Sequence, residues 1–149
     1  MKVSARTDYA LRAMIELAAV EGQVLSGPEI AERQQIPRQF LDAILGDLRR
    51  SGLIASQRGV NGGFRLARPG TEIMIADVMR VADGPLATVR GERPQHLAYD
   101  GAAVPLQQVW ITVRAHLREV LDHVSIADVA RDDLPTSIST VASDPETWT

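Results

Sequence analysis

Apolar residues near the start of the chain recur three and four apart. Tyr9, Ala10, Ala13, Met14, Leu17 and Ala18 share one helical face, which predicts a helix over 5–21 with Ser4 as N-cap and Gly22 as stop. A second start signal follows in Ser26-Gly27-Pro28-Glu29. The serine oxygen can accept an orphan N–H, the glutamate can reach back, and proline costs nothing in a first turn. That helix turns Ile30 and Ala31 inward and stops near Gln34. Pro37 is expected at the first position of a third helix whose apolar face is Phe40, Leu41, Ile44, Leu45 and Leu48. Arg49 and Arg50 suit its negative C-terminal end, and Gly52 suits a left-handed cap. The second and third helices are joined by about three residues, the spacing of a helix-turn-helix.

The period then changes. Leu53-Ile54-Ala55-Ser56 and Phe64-Arg65-Leu66-Ala67 are short strand patterns flanking the turn-forming run from Gln57 to Gly63. A hairpin after a helix-turn-helix makes the motif winged. Pro69-Gly70-Thr71 breaks the chain before a strand-like entry and helix over 73–82, which Asp83-Gly84-Pro85 ends. Residues 86–103 show no period and are expected to be a loop. From Pro105 to about His123 runs the longest helix. Its expected apolar stripe is Leu106, Val109, Trp110, Val113, Leu117, Val120, Leu121 and Val124, beside an Arg114, Arg118, Asp122 ladder. Ser125 can cap a short helix over 126–130. The tail from Asp132 is expected to fray, with Trp148 suggesting some docking. The fold class is therefore mainly α with a small β-hairpin wing. Residues 1–69 are expected to form the winged helix-turn-helix domain. Residues 70–131 would hold a linker helix, a sensing loop and a dimerisation helix, and 132–149 a tail.

Composition narrows the function. The chain has 149 residues and no cysteine, which removes disulfides, thiolate metal sites and thiol redox chemistry together. No signal core opens it and no apolar run spans a bilayer, so the expected location is the cytoplasm, with no membrane partner. Net charge is −3, but unevenly spread. Residues 1–69 carry ten Lys/Arg against seven Asp/Glu, whereas residues 70–149 carry six against twelve. Within 33–68 seven arginines face only Asp42 and Asp47, a local basic segment of the kind that meets a polyanion.

Two constellations carry that charge. With the apolar face of the third helix buried, Arg38, Gln39 and Asp42 point outward near its start. There the second helix of a helix-turn-helix meets base edges, with Arg matched to guanine, Gln to adenine and Asp to cytosine. At the hairpin tip Arg58 stands among Gly59, Asn61 and Gly62, thin enough to enter a minor groove.

The same residues make the chain recognisable. It resembles the Rrf2 family of bacterial regulators. The likeness runs from Ser4 through Asp8-Tyr9-Ala10-Leu11-Arg12 and Glu29-Ile30-Ala31 to Ile36-Pro37-Arg38-Gln39-Phe40-Leu41-Asp42 and Leu48-Arg49-Arg50-Ser51-Gly52-Leu53-Ile54. It is strongest in Arg58-Gly59-Val60-Asn61-Gly62-Gly63-Phe64-Arg65-Leu66-Ala67, and continues in Ile75-Ala76-Asp77-Val78, Asp83-Gly84 and Val109-Trp110. The resemblance implies a homodimer on double-stranded operator DNA, with the long helix crossing to the second subunit. It also gives Arg38, Gln39 and Asp42 the major groove and Arg58 the minor groove, with Lys2 and Tyr9 near the phosphate backbone.

The departure from the family is as informative. Cluster-binding members place three cysteines in the loop before the long helix and along its entry. Here Val104 and Gln107 stand about where two of those ligands would fall. No iron–sulfur cluster can be built without thiolate ligation, so no cofactor is expected. The chain looks more like cysteine-free members such as a cysteine-metabolism repressor that reads its signal through a partner enzyme. The signal, a small molecule or partner enzyme, is expected at Arg90, Arg93, His96 and Tyr99. His116 and His123 share a face with no acidic residue to complete a metal site. Two other readings stand beside the repressor: a winged-helix protein-interaction module and, with neither a nucleophile–base pair nor a phosphate loop in the sequence, an enzyme. The glycine-rich run joins two strands and precedes no helix, so it is not a phosphate loop.

Overall fold

The computed structural model describes residues 1–148; Thr149, the last residue of the tail, lies outside the described residues. The described residues form seven α-helices and one hairpin, with short 3-10 turns between them: α1 (Ala5–Ala19), α2 (Gly27–Gln34), α3 (Arg38–Arg50), β1 (Ile54–Gln57), β2 (Gly63–Leu66), α4 (Ile75–Asp83), α5 (Leu106–Leu121), α6 (Ile126–Ala130) and α7 (Thr136–Ser143). The mainly helical fold with a single antiparallel hairpin is the architecture the pattern predicts.

The helix starts are chemical. Ser4 Oγ accepts from Thr7 N at 3.0 Å. Ser26 and Glu29 close a reciprocal box, Glu29 N donating to Ser26 Oγ at 3.2 Å and Ser26 N to Glu29 Oε2 at 2.7 Å. Hydrogen bonding from Ser26, first from its backbone N–H and then from its side chain, holds the Glu29 carboxyl below its usual range. Ser125 and Asp128 repeat the device at α6. Pro37 stands one residue earlier than expected: it is the N-cap of α3, not its first residue. Its carbonyl still accepts the first helical bonds, from Phe40 N and Leu41 N. Gly52 does take the left-handed conformation, φ 82°.

β1 and β2 pair antiparallel with Ile54 opposite Leu66 and Gln57 opposite Gly63. Leu25 adds a one-residue rung, its N–H and C=O both bonded to Phe64 at 2.9 and 2.7 Å. This rung needs glycine beside it. A Cβ on Gly63 would lie 2.3 Å from Leu25 O.

One core joins these elements. Met14 and Leu17 of α1, Ile30 of α2, Leu41, Leu45 and Leu48 of α3, Ile54 of β1, and Ile73, Val78 and Ile126 from further along are all buried in it. The strand-like entry to α4 is real but minimal: Met74 bridges Ser125 antiparallel. Asp83, the last residue of α4, is bound back to the start of α1, accepting from Ser4 Oγ at 2.5 Å and Thr7 Oγ1 at 2.6 Å. Burial raises the Asp83 carboxyl, but the hydroxyl donors and the charge of Arg6 outweigh it, so it stays below the usual range.

The helix α5 differs from all of these. None of its residues is buried. The expected single stripe divides into two faces. Trp110, Leu117 and Leu121 are half-buried against this chain, Leu121 upon the Ala76, Met79 and Leu86 cluster. Leu106, Val109, Val113 and Val120 are exposed, Val109 at 51%. The ladder also divides: Arg118 pairs with Asp122 at 2.8 Å, while Arg114 Nε donates instead to Leu86 O. The tail is helical where fraying was expected. Trp148 does not dock on the body: it is 73% exposed, and its Nε1 donates to Ala142 O just upstream.

Candidate nucleic-acid interface

The helix-turn-helix is closed by a residue in an uncommon conformation. Gln35 caps α2 with φ 54° and ψ 46°, and its N–H donates to Ala31 O. Arg12 reaches across from α1 to donate to Gln34 O at 2.8 Å, pinning the turn. With Leu41, Ile44, Leu45 and Leu48 buried, the free face of α3 carries Arg38, Gln39, Phe40, Asp42 and Ala43.

Arg38 and Asp42 are both exposed and pair across one helical turn at 3.1 Å. Such a pair on a wet surface is weakly held, so either partner can exchange it for a base edge. The Arg38 guanidinium also lies over Gly27: a Cβ there would stand 3.4 Å from Arg38 Nη2. The small residue at the start of α2 thus leaves room for the arginine.

Phe40 was expected inside and is not; it is 57% exposed. It sits one turn ahead of Ile44 on the same face, but in the first turn, where the core covers only its neighbour Leu41. Gln39, Phe40, Ala43 and Ile44 line a groove of about 270 Å³ with Ala5, Arg6 and Tyr9 of α1. The fold thereby brings Tyr9 beside Gln39. Arg12 lies over the Tyr9 ring at 4.9 Å. An exposed aromatic in a row of polar residues can meet a thymine methyl. The signal that could have found it is its position, three residues after the Pro37 cap. Lys2 is exposed on the arm before α1.

At the wing, Arg58, Gly59, Val60 and Asn61 are all exposed. Gly59 has φ 112°, and a Cβ on Gly62 would lie 2.3 Å from Gln57 O. The two glycines are therefore what lets the turn close tightly, and Arg58 projects from it without an ion-pair partner among the described residues. Along α3, Asp47 neutralises both Arg6 and Arg50. Arg49 and Arg65 are exposed with no acidic partner among the described residues.

The expected sensing residues are not one cluster. Arg90 lies 5.9 Å from the Tyr99 ring centroid. Arg93 faces a different cavity, and His96 is exposed in the same turn, its N–H donating to Arg93 O at 2.9 Å. The loop is held by Gln107, whose amide nitrogen donates to Leu97 O at 2.7 Å and stands 3.3 Å from Pro94 O and Gln95 O. A neutral side chain gathering three carbonyls thus stands at about the position that cluster-binding relatives were expected to give to a ligand. His116 and His123 each bond a carbonyl one turn back, Thr112 O and Glu119 O. Among the described residues no three His, Cys, Asp or Glu side chains form a metal-sized group. Among the described residues no helix is long and apolar enough to cross a membrane.

The Rrf2 family, described as "Iron-dependent Transcriptional regulator", matches residues 3–132. The HTH-type transcriptional regulator Rv1287 of Mycobacterium tuberculosis is 48% identical over 145 residues, covering 97% of this chain and 90% of its own. CymR of Bacillus subtilis is 32% identical over 134 residues, covering 87% and 90%. Among solved structures, CymR of B. subtilis, titled its global cysteine regulator, superposes with a TM-score of 0.76 at 31% identity, covering 88% of this chain and 97% of its own. IscR of T. potens gives 0.72 at 30% identity, covering 100% and 97%. The family description names iron, but this chain has no cysteine to supply a thiolate, so its donor set does not fit an iron–sulfur cluster. The chain belongs to the Rrf2 family and is a DNA-binding transcriptional regulator rather than an enzyme.

Proposed function

We propose that the protein acts in the cytoplasm as a homodimeric repressor of operator DNA, with two winged helices reading the halves of an inverted repeat. The observation that carries the dimer is the unpartnered face of α5, where Leu106, Val109, Val113 and Val120 stand exposed on a helix with no buried residue. Apolar area of this extent on a small protein marks an interface. In the assembly α3 enters the major groove, where Arg38, Gln39 and Asp42 read bases and Phe40 packs on a methyl. Arg58 enters the adjacent minor groove from the wing, with Gly59, Asn61 and Gly62 forming the slender tip. Lys2 and Tyr9 lie along the phosphates. Occlusion of a promoter then follows from occupancy alone. Control of sulfur or cysteine genes is the regulatory reading that the likeness to CymR favours.

Sequencing the genomic fragments retained by the purified protein at two salt concentrations tests this. The expected result is one inverted-repeat motif whose retention falls steeply with salt, since phosphate contacts release counterions. Arg58→Ala should weaken binding to that motif by about 1–3 kcal/mol. Unselective retention, or an Arg58→Ala protein with unchanged affinity, would remove the wing from the reading surface.

A further inference from the structure

The turn leaving α4, the loop after it and the inward side of α5 meet at a cavity of about 270 Å³. Arg80, Gly84, Pro85, Leu86, Arg93 and Arg114 line it. Every ionisable side chain in that lining is an arginine, and the three come from three separate segments of the fold. Their charges are unequally compensated. Arg80 is satisfied, with Asp77 at 3.5 Å and Asp122 at 2.6 Å. Asp122 is itself shared with Arg118, and Asp77 with Arg68 at 3.7 Å. Arg114 spends only its Nε, on Leu86 O at 3.2 Å, leaving both terminal nitrogens without a partner among the described residues. The Arg93 guanidinium has no hydrogen-bond or ion-pair partner among them; only its carbonyl is engaged, accepting from His96 N at 2.9 Å.

Two uncompensated guanidiniums on one concave surface repel each other unless an anion lies between them, and planar guanidinium forks match carboxylate and phosphate oxygens two at a time. We infer that this cavity binds a compact anion bearing phosphate or carboxylate groups, gripped by Arg93 and Arg114 against the ion-paired wall of Arg80. The occupant would bridge α4, which belongs to the winged-helix body, and α5, which carries the exposed apolar face. It would therefore set the angle between the reading head and the dimer helix. The coupling rests on the dimer proposed above; the binding site does not.

Isothermal titration of the full chain with inorganic phosphate and, separately, succinate tests the site, with chloride at matched ionic strength as blank. The expected result is saturable binding of at least one of them, one per chain. It should weaken tenfold or more in Arg93→Gln and in Arg114→Gln and be unchanged in Arg58→Ala. Arg114 also holds the 84–86 turn, so the exposed and partner-free Arg93 is the deciding variant, its fold checked by its melting temperature. Absence of saturable heat with both anions would overturn the proposal. So would unchanged binding in Arg93→Gln, or equal loss in Arg58→Ala, which would place the anion on the DNA-reading surface. If Arg93→Gln weakened self-association with no anion binding in the parent, the arginine would be pairing with a second copy, and the site would again fail. Operator binding is measured alongside: its absence from the parent protein would sink the regulator reading while leaving the anion isotherm to stand or fall by itself.

Discussion

The body built from α1 to α4 and the helix α5 solve the burial problem in opposite ways. In the body, Met14, Leu17, Ile30, Leu41, Leu45 and Leu48 are almost wholly removed from water by neighbours within the same chain. In α5 no residue is buried, and its aliphatic side chains divide between a half-covered side and an open one. Both segments carry the apolar spacing of an amphipathic helix. What separates them is only whether the covering surface lies in this chain. The body is covered by its own contacts, while in the proposed dimer a second chain would complete α5.

Perturbations of the two regions should part company accordingly. The largest effect is expected in the body. Leu45→Ala leaves a cavity in a core with nothing to fill it and should cost about 2–5 kcal/mol of unfolding free energy, read by chemical denaturation. An unchanged denaturation midpoint would mean the core is looser than its burial indicates. On α5 the paired change Val109→Asp and Val113→Asp should leave the secondary structure of the body intact by circular dichroism. It should convert a dimer to a monomer by sedimentation and weaken operator binding on the order of a hundredfold, about 2.7 kcal/mol. If these aspartates unfolded the protein and left its association unchanged, the two regions would have exchanged roles.

A smaller effect concerns a tie inside the body, between the end of α4 and the start of α1. Asp83 holds the start of α1 through Ser4 and Thr7 and has a lowered pKa in the fold. A carboxyl lowered on folding stabilises the native state above its unfolded value, roughly 3.9, and that stability is lost as pH falls through the lower folded value. Asp83→Asn should therefore cost about 0.5–1 kcal/mol at neutral pH for a partly exposed hydrogen-bonded charge. The gap to the parent should narrow below about pH 4. A gap independent of pH would show that the charge contributes nothing. The smallest effect is at Gln35, whose left-handed backbone disfavours a side chain. Gln35→Gly should stabilise by a few tenths of a kcal/mol, since relief of strain is partly offset by a freer unfolded chain. A loss of stability there would show that the side chain, which donates to Glu32 O, matters more than the backbone.

These differences also explain what could be read from the sequence. The Ser26–Glu29 box, the Gly52 cap and the glycine-rich wing were legible because each depends on residues only a few positions apart. Arg38, Gln39, Asp42 and Arg58 were found by the same local logic and do stand exposed. Phe40 was misplaced because periodicity gives the face of a helix but not how far the core extends along it. The α5 stripe was read as one surface because spacing cannot tell which side the rest of the chain covers. The convergence of Arg80, Arg93 and Arg114 spans separate segments, and only the tertiary fold brings it about. The rung between Leu25 and Phe64 was equally silent, since Leu25 lies in no strand pattern.

The central claim is that two chains joined through α5 read two half-sites together. It is tested most directly by titrating the protein against the full selected operator and against a single half-site of the same length, with stoichiometry measured by sedimentation. The account predicts two chains on the full operator and an affinity for the half-site lower by a hundredfold or more. One chain per operator, with equal affinity for the half-site, would contradict it.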